Sequence, residues 1–253
     1  MEGQTWKFMV FRQIPGESPH YDRFEVPDRP GLTTLDALFY IQDHLDPSLA
    51  FRYSCRGAIC GSCGVTIDKE PELACRTQVS AIKTKKKPTN LPELVFGDAS
   101  DWNQEEEILV EPLPNMPVIR DLVVDMEPFW KFYRGVRPYF TREWNDVAPE
   151  STQSTEDARS VEHLIYCILC GICWTCPVSA KNPNYAGPAA LARAHRFMMD
   201  TRLDDGTRNE ILSAVSESDA VPACEKYFVC NHVCPKGVQP GSSIQEIRKG
   251  WME

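Results

Sequence analysis

Cys55-Arg-Gly-Ala-Ile-Cys60-Gly-Ser-Cys63, joined after eleven intervening residues by Cys75, decides how the first half of the chain is read. Three thiols within nine residues must share one tight loop, and the spacing C-x4-C-x2-C with a distant fourth cysteine suits a [2Fe–2S] cluster. The fourth ligand is expected from a neighbouring strand. Gly57, Gly61 and Gly64 are expected to take positive φ and turn backbone N–H groups toward sulfur, where such hydrogen bonds offset negative charge and help set a potential. Zinc is the competing ion, but it more often takes close pairs of ligands than three on one loop and a distant fourth.

The residues around this loop predict a small α+β domain. Thr5–Arg12 alternates Trp6, Phe8 and Val10 against Lys7, Met9 and Phe11, the period of a strand. Residues 21–26, 64–68, 72–79 and 107–113 follow as four more short strands. Thr33 and Asp36 have capping-box spacing, and Leu35, Leu38, Phe39 and Leu45 give the helix behind them an apolar stripe ending before Pro47. Residues 88–107 lack any period and read as a long surface loop. Pro112-Leu-Pro-Asn-Met-Pro117 then marks a boundary, since closely spaced prolines hinder helix and ladder alike. The domains expected are 1–112 and 117–253.

Beyond the boundary the pattern becomes helical. Val118, Leu122, Met126, Phe129 and Tyr133 fall at helical spacing, with a kink allowed at Pro128, and residues 187–199 open with an early proline before good helix formers. Thr207 with Glu210, and Ser243 with Glu246, have capping-box spacing.

Two further cysteine runs lie in this half. One is Cys167-Ile-Leu-Cys170-Gly-Ile-Cys173-Trp-Thr-Cys176-Pro177. The other is Cys224-Glu-Lys-Tyr-Phe-Val-Cys230-Asn-His-Val-Cys234-Pro235. The bacterial frame is C-x2-C-x2-C-x3-C-P, in which the last cysteine of each run serves the other cluster. Exchanging those ends groups Cys167, Cys170, Cys173 and Cys234 as a [4Fe–4S] set and leaves Cys176, Cys224 and Cys230. Tyr227 stands where the second run should have its second cysteine. Three thiolates suffice for [3Fe–4S], and four, four and three account for all eleven cysteines. A cubane completed by Tyr227 or water, or Tyr227 as plain packing, remain the alternatives. The first run has two residues between Cys173 and Cys176 where the frame has three.

Composition narrows the class. The 253 residues are 42% hydrophobic and 25% charged, and mean hydropathy is −0.36. No apolar run approaches the ~18 residues of a membrane span. The N-terminus lacks the basic and apolar regions of a signal peptide, so a cytoplasmic location is expected. Twenty-seven basic against thirty-six acidic residues leave a net charge of −9, which disfavours nucleic acid. Lys83-Thr-Lys-Lys-Lys87 is a basic exception, read as a solvated loop or a dock for an acidic partner. Cysteines bunched in a chain without an export signal point to metal rather than disulfides. No Ser-His-Asp set, phosphate-cradling loop or carboxylate pair appears. Of His20, His44, His163, His195 and His232, only His232 lies within a cysteine run.

The three cysteine runs, the PLPNMPVIRDLVVD link, SCRGAICGSCGVTID and NPNYAGPAALARAHRF together resemble the iron–sulfur subunit of succinate dehydrogenase or fumarate reductase, over nearly the whole chain. The resemblance implies an N-terminal plant-type [2Fe–2S] ferredoxin-like (β-grasp) domain followed by an all-α bacterial-ferredoxin-like domain. It implies a flavoprotein partner with covalent FAD that carries the succinate/fumarate site, so this chain has no dicarboxylate site of its own. Electrons would pass between flavin and quinone through [2Fe–2S], [4Fe–4S] and [3Fe–4S], and anchor subunits would hold the chain at the cytoplasmic face of the membrane. In ubiquinone-reducing members a Trp before the Asn-Pro pair and a His after the first cysteine of the last run help form the quinone site. Here those positions hold Lys181 and Glu225, and only Pro177 keeps the pattern, which favours menaquinone. The loop 88–107 is longer than the family usually carries. The competing readings are a related multi-centre flavin oxidoreductase subunit acting on another substrate, and a zinc-binding adaptor.

Overall fold

The computed structural model describes residues 4–84, 99–140 and 150–252. Its N-terminal strand β1 (Thr5–Arg12) pairs antiparallel with β2 (His20–Pro27). The alternation read in β1 holds only at its start. Phe8, Met9, Val10 and Phe11 are all buried, because β1 lies inside the sheet and both its faces are covered. Phe11 meets its cross-strand partner Tyr21 edge to face at 5.6 Å.

Helix α1 (Thr34–Tyr40) starts where expected. The Thr33 side chain accepts from the Asp36 N–H and the Asp36 carboxylate accepts from the Thr33 N–H, a complete capping box. A π-helical turn, Ile41–Leu45, carries the chain on toward Pro47. Strands β3 (Gly64–Ile67) and β4 (Glu70–Leu73) form a hairpin, and a short helix α2 (Val79–Ile82) follows. Residues 72–79 are therefore not one strand: β4 ends at Leu73, and Cys75 lies in the turn beyond it. Thr77 closes that turn, its hydroxyl donating to the Leu73 carbonyl at 3.1 Å.

Strand β5 (Glu107–Glu111) enters between β1 and β3, parallel to the first and antiparallel to the second. The sheet order is β2-β1-β5-β3-β4, the mixed sheet of a β-grasp with α1 as its helix. Of the loop read at 88–107, residues 88–98 lie outside the described residues, as do Lys85–Lys87 of the basic run. The rest makes turns, with the Trp102 indole donating to the Glu107 carbonyl at 3.0 Å.

Residues 118–126 differ from expectation. They form a small hairpin, β6 (Val118–Arg120) and β7 (Val123–Val124), and not the start of a helix. Asp121 turns the chain at φ 46°, and its fully buried carboxylate accepts from the Gln13 N–H at 3.0 Å, the Ala50 N–H at 2.9 Å and Arg12 Nε at 3.2 Å. These tertiary bonds outweigh the helical spacing of the apolar residues. Arg12 is itself buried and also holds Asp22, Asp46 and the Ser48 hydroxyl, the extra partners a buried ion pair needs.

The Asp46 carboxyl is pushed up by burial, but hydrogen bonds from Ser48 and the Arg12 guanidinium prevail and bring it down to about 2. Its stabilising contribution is thus present above the ordinary carboxyl value of 3.8 and lost as pH falls toward about 2. Asp46→Asn is expected to flatten the loss of stability across that window in acid unfolding followed by circular dichroism. Equal slopes for the two proteins would count against this role for Asp46.

The second half is helical: α3 (Glu127–Gly135), α4 (Thr155–Ile165), a 3₁₀ turn (Ile172–Thr175), α5 (Pro177–Lys181), α6 (Pro188–Met198), α7 (Asp205–Ser216), α8 (Val229–His232) and α9 (Pro240–Ile247). Pro128 sits in the first turn of α3, where its missing N–H costs nothing. Neither capping box read in this half forms. Helix α7 is capped by Asp204, which accepts from the Thr207 N–H at 2.8 Å. Ser243 lies inside α9, whose start is set by Pro240. The core here gathers Tyr185, Leu191, Ala194, Met198, Ile211 and Ile244 among others. By contacts the chain divides into Met1–Met126 with Cys170–Ile172, and Glu127–Leu169 with Cys173–Glu253. No helix of the described residues is long and apolar enough to cross a membrane.

Candidate iron–sulfur sites

None of the eleven cysteines forms a disulfide. In the first loop the Cys55 sulfur accepts from the backbone N–H groups of Gly57, Ile59 and Cys60 at 3.3, 3.3 and 3.2 Å, and the Cys60 sulfur from the Cys55 N–H at 3.4 Å. Left-handed residues aim these donors. They are Arg56, Ala58 and Gly61, with φ of 55°, 56° and 75°, whereas Gly57 and Gly64 are not left-handed. Space at Gly64 is tight instead, since a Cβ there would lie 3.1 Å from Leu113 Cδ1. Alternating backbone handedness of this sort makes an anion-binding nest.

The protonation of the loop thiols reflects the same geometry. Burial disfavours the Cys60 thiolate, but hydrogen bonds from Ser62 and the Cys55 backbone prevail, and the thiol falls to about 6. Cys63 is pushed up to about 12 by burial, with Cys75 and Cys60 close enough to add to the effect. Cys75 is brought in by the turn after β4, where the Ala74 N–H donates to the Cys63 carbonyl at 2.9 Å. The structure thus brings Cys55, Cys60, Cys63 and Cys75 together.

Cys176, Cys224 and Cys230 line one pocket of the helical unit with Tyr185, Tyr227 and Gly241. Cys176 is the N-cap of α5, ahead of Pro177, and its N–H donates to the Cys173 carbonyl at 3.3 Å. The two-residue gap between those cysteines, Trp174 and Thr175, is the second half of the 3₁₀ turn. Burial raises the Cys230 thiol to about 12, helped by Cys176 and Cys224 nearby. Gly241 is needed here, because a Cβ would stand 2.9 Å from Phe228 Cδ1 and 3.3 Å from the Cys230 sulfur. Burial also raises the Tyr185 phenol, and the nearby sulfurs of Cys224, Cys176 and Cys230 add to the effect.

Tyr227, at the position of the absent thiol, is 46% exposed. Its hydroxyl donates to Glu225 at 2.7 Å and accepts from Lys181 Nζ at 3.3 Å. Glu225 and Lys181 therefore lie at the mouth of the three-cysteine pocket.

Cys167 and Cys234 pack together against Leu164, Ala192 and Val238. The Val238 N–H donates to the Cys234 sulfur at 3.4 Å. Cys173 is buried in the 3₁₀ turn and Cys170 half-buried before it. His232 is exposed at the end of α8, whereas His195 is buried with Nε2 3.5 Å from Glu246. Among the described residues no three His, Cys, Asp or Glu converge on a single ion. Zinc would draw its thiolates to within ~3.8 Å of one another, given Zn–S bonds of ~2.3 Å. The donor set fits iron–sulfur clusters: cysteine sulfurs with backbone N–H groups aimed at them. Tyr185 and Gly241 escaped the sequence reading, because nothing in a cysteine spacing reports a buried phenol or a cradle without a side chain.

Such sites on a β-grasp and a helical unit define an iron–sulfur electron carrier. A family model described as a 2Fe-2S iron-sulfur cluster binding domain matches residues 7–131, and one described as a 4Fe-4S dicluster domain matches 166–239. The chain belongs to the family of iron–sulfur subunits of succinate dehydrogenase and fumarate reductase. It is 34% identical to the succinate dehydrogenase iron-sulfur subunit of Paracoccus denitrificans, over 97% of this chain and 92% of the relative. It is 37% identical to the fumarate reductase iron-sulfur subunit of Mycobacterium tuberculosis, over 91% and 85%. A chain of the Mycobacterium smegmatis Sdh1 complex in the apo form superposes with a TM-score of 0.78 at 25% identity, covering 99% of this chain and 98% of that one. Electron transfer within such an oxidoreductase is the work of this subunit. The relatives do not favour another flavin oxidoreductase.

Proposed function

We propose that this subunit relays electrons between the FAD of a flavoprotein partner and a quinone, through three clusters held by its own cysteines. Cys55, Cys60, Cys63 and Cys75 hold [2Fe–2S]. Cys167, Cys170, Cys173 and Cys234 hold [4Fe–4S], and Cys176, Cys224 and Cys230 hold [3Fe–4S]. As cluster-binding modules we take 1–112 and 117–253. When bound, the clusters supply one-electron carriers. The protein supplies thiolates and N–H donors that stabilise charge on sulfur, and it buries Cys63, Cys173, Cys176 and Cys230. The observation that carries the reading is the meeting of Cys176, Cys224 and Cys230 in one pocket with a tyrosine where a fourth thiol would complete a cubane.

The partners are the flavoprotein, one or more membrane-anchor subunits and quinone, with the chain held peripherally at the cytoplasmic face. Quinone is placed near Pro177, at the mouth marked by Lys181, Glu225 and Tyr227, and the absence of Trp and His from positions 181 and 225 favours menaquinone. Anaerobic isolation of the complex tests this reading. A partner with covalent flavin, succinate-dependent dye reduction, acid-labile sulfide and three distinct EPR centres are expected. A preparation with zinc and no sulfide would refute it.

Tyr227→Cys offers a sharper test. A thiol at this position is expected to admit a fourth iron, so the oxidised protein loses its [3Fe–4S] EPR signal and gains one iron per chain. A signal of unchanged intensity and an unchanged iron content would mean that position 227 does not face the open corner.

A further inference from the structure

Helix α6 carries an arginine with no carboxylate partner among the described residues. Arg193 is half-buried, and its Nε is fully shielded with no hydrogen-bond partner among the described residues. The carboxylates near this helix are engaged elsewhere. Asp200 binds Arg196 at 3.1 Å and Arg202 at 2.7 Å, and Glu246 lies against His195. Among the described residues Arg193 forms no salt bridge, and its one aromatic neighbour is Phe197, with the ring centre 5.8 Å away. A shielded Nε–H left without a partner is costly, so a nearby acceptor is expected. The candidates are sulfurs. Ala192, the preceding residue, packs directly against the Cys167 and Cys234 pair. The Arg193 charge lies near enough to the Cys167 sulfur to act on it electrostatically.

We propose that Arg193 is the counter-charge of the cluster held by Cys167 and Cys234, and that it sets the reduction potential of that centre. The inference rests on the ligand assignment given above. A cluster bound by four thiolates is anionic, and adding an electron makes it more so. A fixed positive charge beside it therefore stabilises the reduced form and raises the potential. The step is a one-electron exchange with the neighbouring centres, with no bond or proton changing place. Even at roughly 12 Å, in a medium of effective dielectric about 20, one charge changes such an equilibrium about tenfold.

The test is redox-poised EPR on the intact complex, comparing Arg193→Gln and Arg193→Lys with the parent. In R193Q the [4Fe–4S] centre is expected to become at least about tenfold harder to reduce, a drop of about 59 mV for one electron. The [2Fe–2S] potential should stay in place, and R193K should return the [4Fe–4S] value toward the parent's. An unmoved [4Fe–4S] potential in R193Q, or an equal shift in every centre, overturns the proposal. If R193Q assembles no such cluster, R193K decides. Charge alone is claimed, so a cluster-free R193K also overturns the proposal, and a loaded R193K near the parental potential supports it. A parental complex lacking a [4Fe–4S] signal would refute the ligand assignment; a normal signal that Arg193 does not influence refutes only this inference.

Discussion

Cys176→Ser is expected to remove the [3Fe–4S] EPR signal, leave the [2Fe–2S] signal intact and stop succinate-dependent quinone reduction by the assembled complex. Cys176 has the least regular spacing of the eleven cysteines, yet its sulfur shares a pocket with Cys224 and Cys230 and not with Cys234. Losing a supporting contact around a metal costs ~10–100-fold in affinity or activity, so losing one of only three thiolates should cost more than ~100-fold. Cys234→Ser is the matched comparison and should damage [4Fe–4S] instead. If Cys176→Ser spared the [3Fe–4S] signal and Cys234→Ser removed it, the last cysteines of the two runs would not be exchanged, and the proposed assignment would have to be redrawn.

Gly187→Ala should be the most damaging single methyl group in the helical unit. Gly187 stands before α6 at φ 84°, and a Cβ there would meet Trp174 Cζ3 at 2.4 Å and Cε3 at 2.8 Å. Trp174 cannot easily withdraw, since it is buried and wedged against Phe129 and Phe132. Backbone strain of ~1–3 kcal/mol and overpacking of ~1–3 kcal/mol give roughly 2–6 kcal/mol of destabilisation. Thermal unfolding of the full chain followed by far-ultraviolet circular dichroism should show the helical signal lost at a markedly lower temperature. Gly135→Ala is the control. Its Cβ meets nothing within 4 Å and its φ is not positive, so its transition should lie close to the parent's. Coincident transitions for all three proteins would mean that Trp174 yields without cost.

How much of this was legible depends on whether a feature is local. The Thr33–Asp36 capping box is a contact across three residues and reads directly from sequence. So does the nest at 55–61, although its left-handed positions fall at Arg56 and Ala58 rather than at Gly57 and Gly64. The hairpin at 118–124 was not legible. Its valines satisfy helical and strand spacing together, and what decides is the Asp121 carboxylate bonding to Gln13 and Ala50, segments 108 and 71 residues away. The Thr207–Glu210 and Ser243–Glu246 pairs show the converse error: a short local pattern is common, and Asp204 and Pro240 set those helix starts instead. Tyr185 was invisible because a buried phenol near the cysteines leaves no periodic trace.

Strand β5 is the last strand of its sheet to be synthesised and sits in the middle of it. Until residues 107–111 leave the ribosome, β1–β2 and β3–β4 are two separate hairpins, each of marginal persistence in water. The four thiols between residues 55 and 75 are therefore translated well before the scaffold that orders them is complete. During that interval they are ordinary mobile cysteines, exposed to oxidants and to stray cations. On the proposed ligand assignment, iron would enter this half late in biogenesis, after residues 107–111 have joined the sheet.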